Sequence, residues 1–214
     1  MSFVPGPRLL VLARHGQSEG NSMNIFTGWR DMPLTAQGKG EALRAGERLM
    51  EMGVTFDRAF SSKLTRASTS CRLMLDRMDL GNVTVEEEAA LNERDYGELT
   101  GLNKDLARER FGAEQVKTWR RSYATAPPNG ESLRDTAARV LPYYISRILP
   151  AVMKSRAVLV VAHGNSLRAL ILVLEKHSAA TIPLVELATG ELRTYLLGED
   201  TAVNAQASWM VPVT

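Results

Sequence analysis

Two stretches of the chain share one pattern. Residues 9–13 (LLVLA) are apolar without interruption and run into Arg14-His15-Gly16, and residues 158–162 (VLVVA) run into His163-Gly164-Asn165. Unbroken apolar runs of this length predict strands covered on both faces, the signature of a parallel sheet between helices. In open α/β sheets ligands bind outside the carboxyl ends of the strands. Both runs end there in glycine-containing polar turns, so the pair predicts two imidazoles facing one crevice. Gly16 is expected to let a bound group come close to the backbone, and Arg14 to bring a forked cation.

Between these two strands the pattern alternates. Thr35 is placed to cap a helix running to Met52, with Gly53 as its stop. Residues 56–60 predict a strand, and Ser61-Ser62 opens a helix carrying Arg66 and Cys71. Arg66 then falls in the first turn of a helix at a strand's carboxyl end, where free N–H groups and a guanidinium suit an anion. On that segment alone, a solvated surface arginine is the more common outcome. A short strand follows at 83–86, then a polar, glycine-punctuated loop at 91–101, short helices at 104–110 and 116–123, and a turn-rich break at 125–130. Ser132 caps a long helix reaching Leu149, kinked at Pro142. After the second His-Gly strand come a helix at 166–175 and weaker strands at 184–188 and 192–197. The alternation predicts one α/β domain spanning 1–214, a three-layer α/β/α sandwich with a mostly parallel sheet.

At 214 residues such a domain buries a substantial core. The net charge of +2 and the lack of a clustered basic stripe argue against a nucleic-acid partner. No stretch approaches membrane length and no leader pattern opens the chain, so a soluble cytoplasmic protein is expected. The single cysteine, Cys71, excludes an internal disulfide, and its helical spacing with Leu64, Ala67 and Met74 predicts a packed core thiol. Phosphate-binding P-loop, dinucleotide, zinc-protease and nucleophile-elbow patterns are absent. Of three histidines, His177 lies in a polar setting and is expected at the surface. Two histidines without further ligands make no structural metal site. What remains is a nucleophilic histidine: a neutral imidazole attacks a phosphoryl group in line, while arginines stabilise the charge on its equatorial oxygens. Those same guanidinium groups hold the imidazole unprotonated.

Arg14-His15-Gly16 resembles the signature of the histidine phosphatase superfamily. A wider set resembles its 2,3-bisphosphoglycerate-dependent phosphoglycerate mutases: Phe26-Thr27-Gly28-Trp29, Leu34-Thr35, Ser61-Ser62 with Leu64-Thr65-Arg66-Ala67, Leu91-Asn92-Glu93-Arg94 with Tyr96-Gly97, Gly101-Leu102-Asn103-Lys104, Trp119-Arg120-Arg121, and the eight residues from His163 to Leu170. The resemblance implies the phosphoglycerate mutase-like fold and, without a metal, interconversion of 2- and 3-phosphoglycerate through phospho-His15, primed by 2,3-bisphosphoglycerate. It implies His163 and the pair Arg14 and Arg66 around the transferring phosphoryl, and Glu93 as proton donor and acceptor. It implies Ser18, Asn21, Thr27, Gly28, Gly164 and Asn165 around the site, and Tyr96, Lys104, Arg120 and Arg121 on the substrate carboxylate or distal phosphate. It also implies a homodimer, although the short segment at 123–130 leaves a monomer open. Gln17 and Asp95 depart from the residues usual in those enzymes, and the end beyond Leu197 is short. Two readings compete with the mutase: a phosphomonoesterase using the same His15, and a non-catalytic phosphate-binding module, which predicts loss of at least one of Arg14, His15, Arg66 and His163. All four are present.

Overall fold

The computed structural model describes residues 8–210. β1 (Arg8–Arg14) leads through a single turn, α1 (Glu19–Ser22), into α2 (Ala36–Glu51), which Thr35 caps through its hydroxyl. Then follow β2 (Arg58–Ser61), α3 (Thr65–Arg77) and the short β3 (Val85–Glu87). A loop with two 3-10 turns reaches α4 (Lys104–Phe111), α5 (Ala113–Arg121) and α6 (Leu133–Tyr143). Beyond it lie α7 (Leu149–Lys154), β4 (Ala157–Ala162), α8 (Gly164–Leu174), β5 (Leu192–Leu197) and β6 (Val203–Trp209).

The sheet order is β3-β2-β4-β1-β5-β6; the first three pairings are parallel and the last two antiparallel. Alternation along β1 divides its side chains between two cores. Leu10 and Leu12 pack with Val158, Val160 and residues of α6 and α8, while Val11 and Ala13 pack with Leu159, Val161 and residues of α2 and α3. Helices on both faces make the expected three layers. The chain leaves β1 through α2 across β4 to reach β2, and leaves β4 through α8 across β1 to reach β5. The two departures diverge from the β1–β4 seam, which makes that seam the topological switch point where a crevice opens.

Several local expectations change. The helix capped by Ser132 does not stop at 149: after Pro142 the chain makes a π-helical turn over Tyr144–Ile148 and continues as α7 to Lys154. Proline lacks the N–H that an α-helix needs, and the displaced ladder is completed locally, with the Ser146 hydroxyl donating to the Pro142 carbonyl at 2.7 Å. Residues 184–188 are not a strand; a 3-10 turn covers Ile182–Leu184 and the rest is irregular. The edge strand β6, without an apolar run to announce it, pairs with β5 instead. Gly16 is required by packing as well: a Cβ there would lie 2.0 Å from the carbonyl oxygen of Gly38, in the first turn of α2. Among the described residues, no helix is long and apolar enough to cross a membrane.

Candidate active site

The two histidines meet because of strand register. β1 and β4 are parallel neighbours with Arg14 opposite Ala162, so His15 and His163 leave the sheet side by side. Their ring centroids are 4.9 Å apart with the planes at 61°. Both are almost wholly buried. His15 Nδ1 lies 2.6 Å from the Gly16 carbonyl oxygen, which can only accept, so the proton sits on Nδ1 and the Nε2 lone pair is free. Ser62 donates its hydroxyl proton to Asn92 Oδ1 and accepts from the Leu64 N–H, so its contact with His163 Nε2 at 2.8 Å is a bond donated by the imidazole. That leaves His163 Nδ1 as a buried lone pair with no hydrogen-bond partner.

Burial, then Arg66 and then Arg14, hold the His15 imidazole well below its ordinary pKa, against the opposing pull of the Gly16 carbonyl. Burial, Arg66, His15 and Arg14 do the same to His163. Both rings are therefore neutral at neutral pH. An unfolded chain takes up protons on these histidines as the pH falls through about 6.5, and the folded state refuses them. Stability is thus fully present above pH 6.5 and is lost as the pH falls toward the depressed folded values, at about 1.4 kcal/mol per pH unit for each ring. Urea denaturation between pH 8 and 5 should show this slope, and His163→Asn should reduce it.

Arg66 is not a surface residue. It is 1% exposed, with Nη2 donating to the Gly28 carbonyl at 2.8 Å and Nη1 to that of Arg30 at 3.1 Å. Gly28 takes a positive φ of 50° at this point, a left-handed turn that turns glycine's freedom to use. Ser18 is likewise internal: fully buried, it caps α1, and its N–H and hydroxyl both donate to Asn21 Oδ1, leaving the Asn21 amide protons free. Ser18 and Gly28 therefore shape the surroundings without lining the cavity. Arg14, Asn21, Thr27, Glu93, Tyr96, Lys104, Arg120, Arg121, Gly164 and Asn165 line it. His15 and His163 are buried alongside, next in the chain to the lining residues Arg14 and Gly164, and Arg66 is buried beneath the Gly28 turn that follows Thr27.

α8 begins at Gly164, two residues earlier than the sequence suggested, so Gly164 and Asn165 form its first turn. The Asn165 N–H donates to Glu93 Oε1 at 3.1 Å, and the Arg94 N–H to the same oxygen at 2.8 Å. One carboxylate oxygen is thereby fixed and Oε2 is left for the cavity. The loop carrying Glu93 is gripped by Arg139 of α6, whose guanidinium donates to the carbonyls of Ala90, Asn92 and Glu93 and pairs at 2.9 Å with both carboxylate oxygens of Glu131. Trp29 also donates to the Glu93 carbonyl, at 2.6 Å. Removing one partner of a largely buried, bidentate pair is costly, so Arg139→Met is expected to lose about 3 kcal/mol in urea denaturation. Arg139→Lys, with a point charge in place of the fork, should recover little of it.

Cations dominate the cavity wall. Burial, and then the neighbouring Arg120, lower Lys104; burial lowers Arg120 as well, and Arg121 adds to it. Tyr96 lies with the Arg94 guanidinium over its ring and accepts from the Asn165 amide; burial pushes its phenol up, but Arg94 and the hydrogen bonds bring it below its ordinary value. Such a wall accepts a compact polyanion.

A sequence profile of the histidine phosphatase superfamily (branch 1) matches residues 10–206. The chain belongs to the histidine phosphatase superfamily. The 2,3-bisphosphoglycerate-dependent phosphoglycerate mutase of Azorhizobium caulinodans is 56% identical to it, over 95% of this chain and 99% of that one. The protein of that name from Methylorubrum extorquens is 58% identical over 93% and 94% of the two chains. Among solved structures, mycobacterial hydrolase 1 superposes with a TM-score of 0.81 at 26% identity, covering 94% of this chain and 97% of that one.

For this histidine phosphatase chain, two charged cavity residues have no role in the sequence analysis: Arg168, which stands in the matching run from His163 to Leu170 without one, and Glu186. Arg168 stands three residues beyond Asn165 in α8, so helical spacing from the His-Gly turn offered a signal. Glu186 offered none. His177 is half-buried between Glu175 and Thr181, outside the cavity. Cys71 is fully buried, and burial pushes its thiol up to about 12, as suits an inert core residue. Among the described residues, no cluster of three or more His, Cys, Asp or Glu is arranged to hold a metal ion.

Proposed function

We infer that the protein interconverts 2-phosphoglycerate and 3-phosphoglycerate through a phosphohistidine at His15, and that 2,3-bisphosphoglycerate primes it. The observation that carries this is the neutral, side-by-side pair of His15 and His163, with a free Nε2 on one ring and an unpartnered Nδ1 on the other, beside a cavity walled by cations. Relatives at 56% and 58% identity that carry the mutase name support the choice of substrate.

The residues present fit a bisphosphorylated three-carbon acid. A buried lone pair without a partner, His163 Nδ1, can accept the proton of a singly protonated phosphoryl oxygen, and Lys104, Arg120 and Arg121 offer cations for a second phosphate and a carboxylate. When bound, 2,3-bisphosphoglycerate supplies the phosphoryl group that activates His15. In the exchange itself, His15 Nε2 attacks phosphorus while the leaving oxygen takes a proton from Glu93 Oε2. In the return direction Glu93 removes the proton of the attacking hydroxyl. Arg14 and Arg66 balance the charge on the equatorial oxygens, and His163 Nδ1 accepts the proton that a singly protonated phosphoryl group brings on one of them. Asn21 and Thr27 contribute donors at the same end of the cavity. Tyr96, Lys104, Arg120 and Arg121 hold the distal anions, and the first turn of α8 at Gly164 and Asn165 adds its N–H groups. Ser18 and Gly28 act through Asn21 and Arg66.

Phosphorus NMR of the purified protein with 3-phosphoglycerate, a trace of 2,3-bisphosphoglycerate and EDTA tests this. The expected result is 2-phosphoglycerate with little inorganic phosphate, because the site holds its phosphohistidine against water. Accumulating inorganic phosphate would instead identify a phosphomonoesterase and overturn the mutase assignment.

A further inference from the structure

The distal wall of the cavity contains a carboxylate where an anion is to bind. Glu186 pairs through Oε1 with Arg121, and its Oε2 lies 3.7 Å from Arg168 Nη2. Neither guanidinium depends on it for position. Arg168 donates from Nε to the Val185 carbonyl at 2.7 Å and from Nη1 to Asn165 Oδ1 at 3.2 Å, while Arg121 donates from Nη1 to the Pro183 carbonyl at 3.3 Å. The Glu186 backbone is equally secure, because its own carbonyl accepts from Arg193 at 3.2 Å and that of Leu187 accepts from Arg14. What is free to move is the Glu186 side chain, 70% exposed, against 12% for Arg168.

An ion pair with one partner so exposed holds weakly in water. A phosphate or carboxylate entering the cavity meets the same two guanidinium groups with better shielding and forked geometry. We propose that Glu186 is an exchangeable counter-anion: it occupies the Arg121–Arg168 pair in the free protein and gives way to the distal anionic group of the substrate. Its charge then opposes the bound polyanion, which limits affinity and favours release. The proposal rests on the phosphoglycerate reading above and adds to it a residue that sets how tightly the substrate is held.

Equilibrium dialysis of 3-phosphoglycerate, without 2,3-bisphosphoglycerate and at low ionic strength, reads this directly. Removing one like charge several ångströms from a trianion is expected to make Glu186→Gln bind about fivefold more tightly than the wild type. The difference should shrink in about 0.5 M KCl, where the Debye length is only a few ångströms. Glu186→Asp keeps the charge and should stay close to the wild type. Unchanged or weaker binding by Glu186→Gln, with 3-phosphoglycerate still bound by the wild type, overturns the proposal and makes Glu186 a scaffold for Arg121. A wild type that fails to bind 3-phosphoglycerate overturns the substrate assignment itself.

Discussion

His15→Ala is expected to lose turnover by about 10⁴-fold or more, in line with removal of a nucleophile from a cooperating set of groups. The imidazole is the one group at the β1–β4 seam with a proton fixed on Nδ1 by a carbonyl and a lone pair free on Nε2. His163 is no substitute. Its Nε2 is committed to Ser62, and its one free lone pair, on Nδ1, belongs to a ring centred 4.9 Å from that of His15, out of the position from which His15 Nε2 attacks. The direct measurement is retention of phosphate. After exposure to 2,3-bisphosphoglycerate, the wild type should carry an acid-labile phosphoryl group and His15→Ala none. Urea denaturation guards against a trivial cause: loss of a buried ring costs about 1–3 kcal/mol, which a domain of this size tolerates. Surviving turnover in a folded variant would overturn the mutase and the phosphomonoesterase alike, since both need this nitrogen.

The strands that bear the histidines were legible because a strand buried on both faces must be apolar throughout, and residues 9–13 and 158–162 satisfy that without ambiguity. The crevice followed from their shared ending, but the register setting Arg14 against Ala162 is a tertiary fact no periodicity reports. Segment 184–188 shows the opposite case. Leu184, Val185 and Leu187 have strand composition, yet the carbonyls of Pro183, Val185, Glu186 and Leu187 accept from Arg121, Arg168, Arg193 and Arg14. Four arginines take the acceptors that a neighbouring strand would have used, and two of them, Arg14 and Arg121, come from distant parts of the chain. The segment around Arg66 does not show its burial for a related reason, because that burial depends on the turn at Gly28, far upstream. Glu93 stands in a polar loop like any solvated acid and became a candidate only through resemblance. Its distinction lies in the two N–H groups that fix Oε1 and in the five bonds of Arg139 behind it.

Those bonds make Glu93→Gln a sharp test, since they separate the position of the carboxyl from its protons. Glutamine keeps an Oε1 that can accept from Arg94 and Asn165, so the loop, the first turn of α8 and the Arg139 clamp stay as they are. Only Oε2 changes, from a proton carrier to an amide that can neither deliver nor remove a proton. General acid–base assistance is worth about 10²–10⁴-fold, so kcat should fall by that range. KM should change little, because Lys104, Arg120 and Arg121, which the proposed function places on the distal anions, are untouched. Phosphorylation of His15 by 2,3-bisphosphoglycerate, followed by rapid quench, should slow together with turnover, because departure of the alkoxide in the first step already needs the proton. A leaving group that needs no proton separates the two possible roles. With a nitrophenyl phosphate, whose phenolate leaves unassisted, phosphorylation of His15 by Glu93→Gln should approach the wild-type rate. If the variant is equally slow with that substrate, Glu93 is holding the phosphoryl group or the α8 turn in place, and the proton carrier has to be sought elsewhere on the cavity wall.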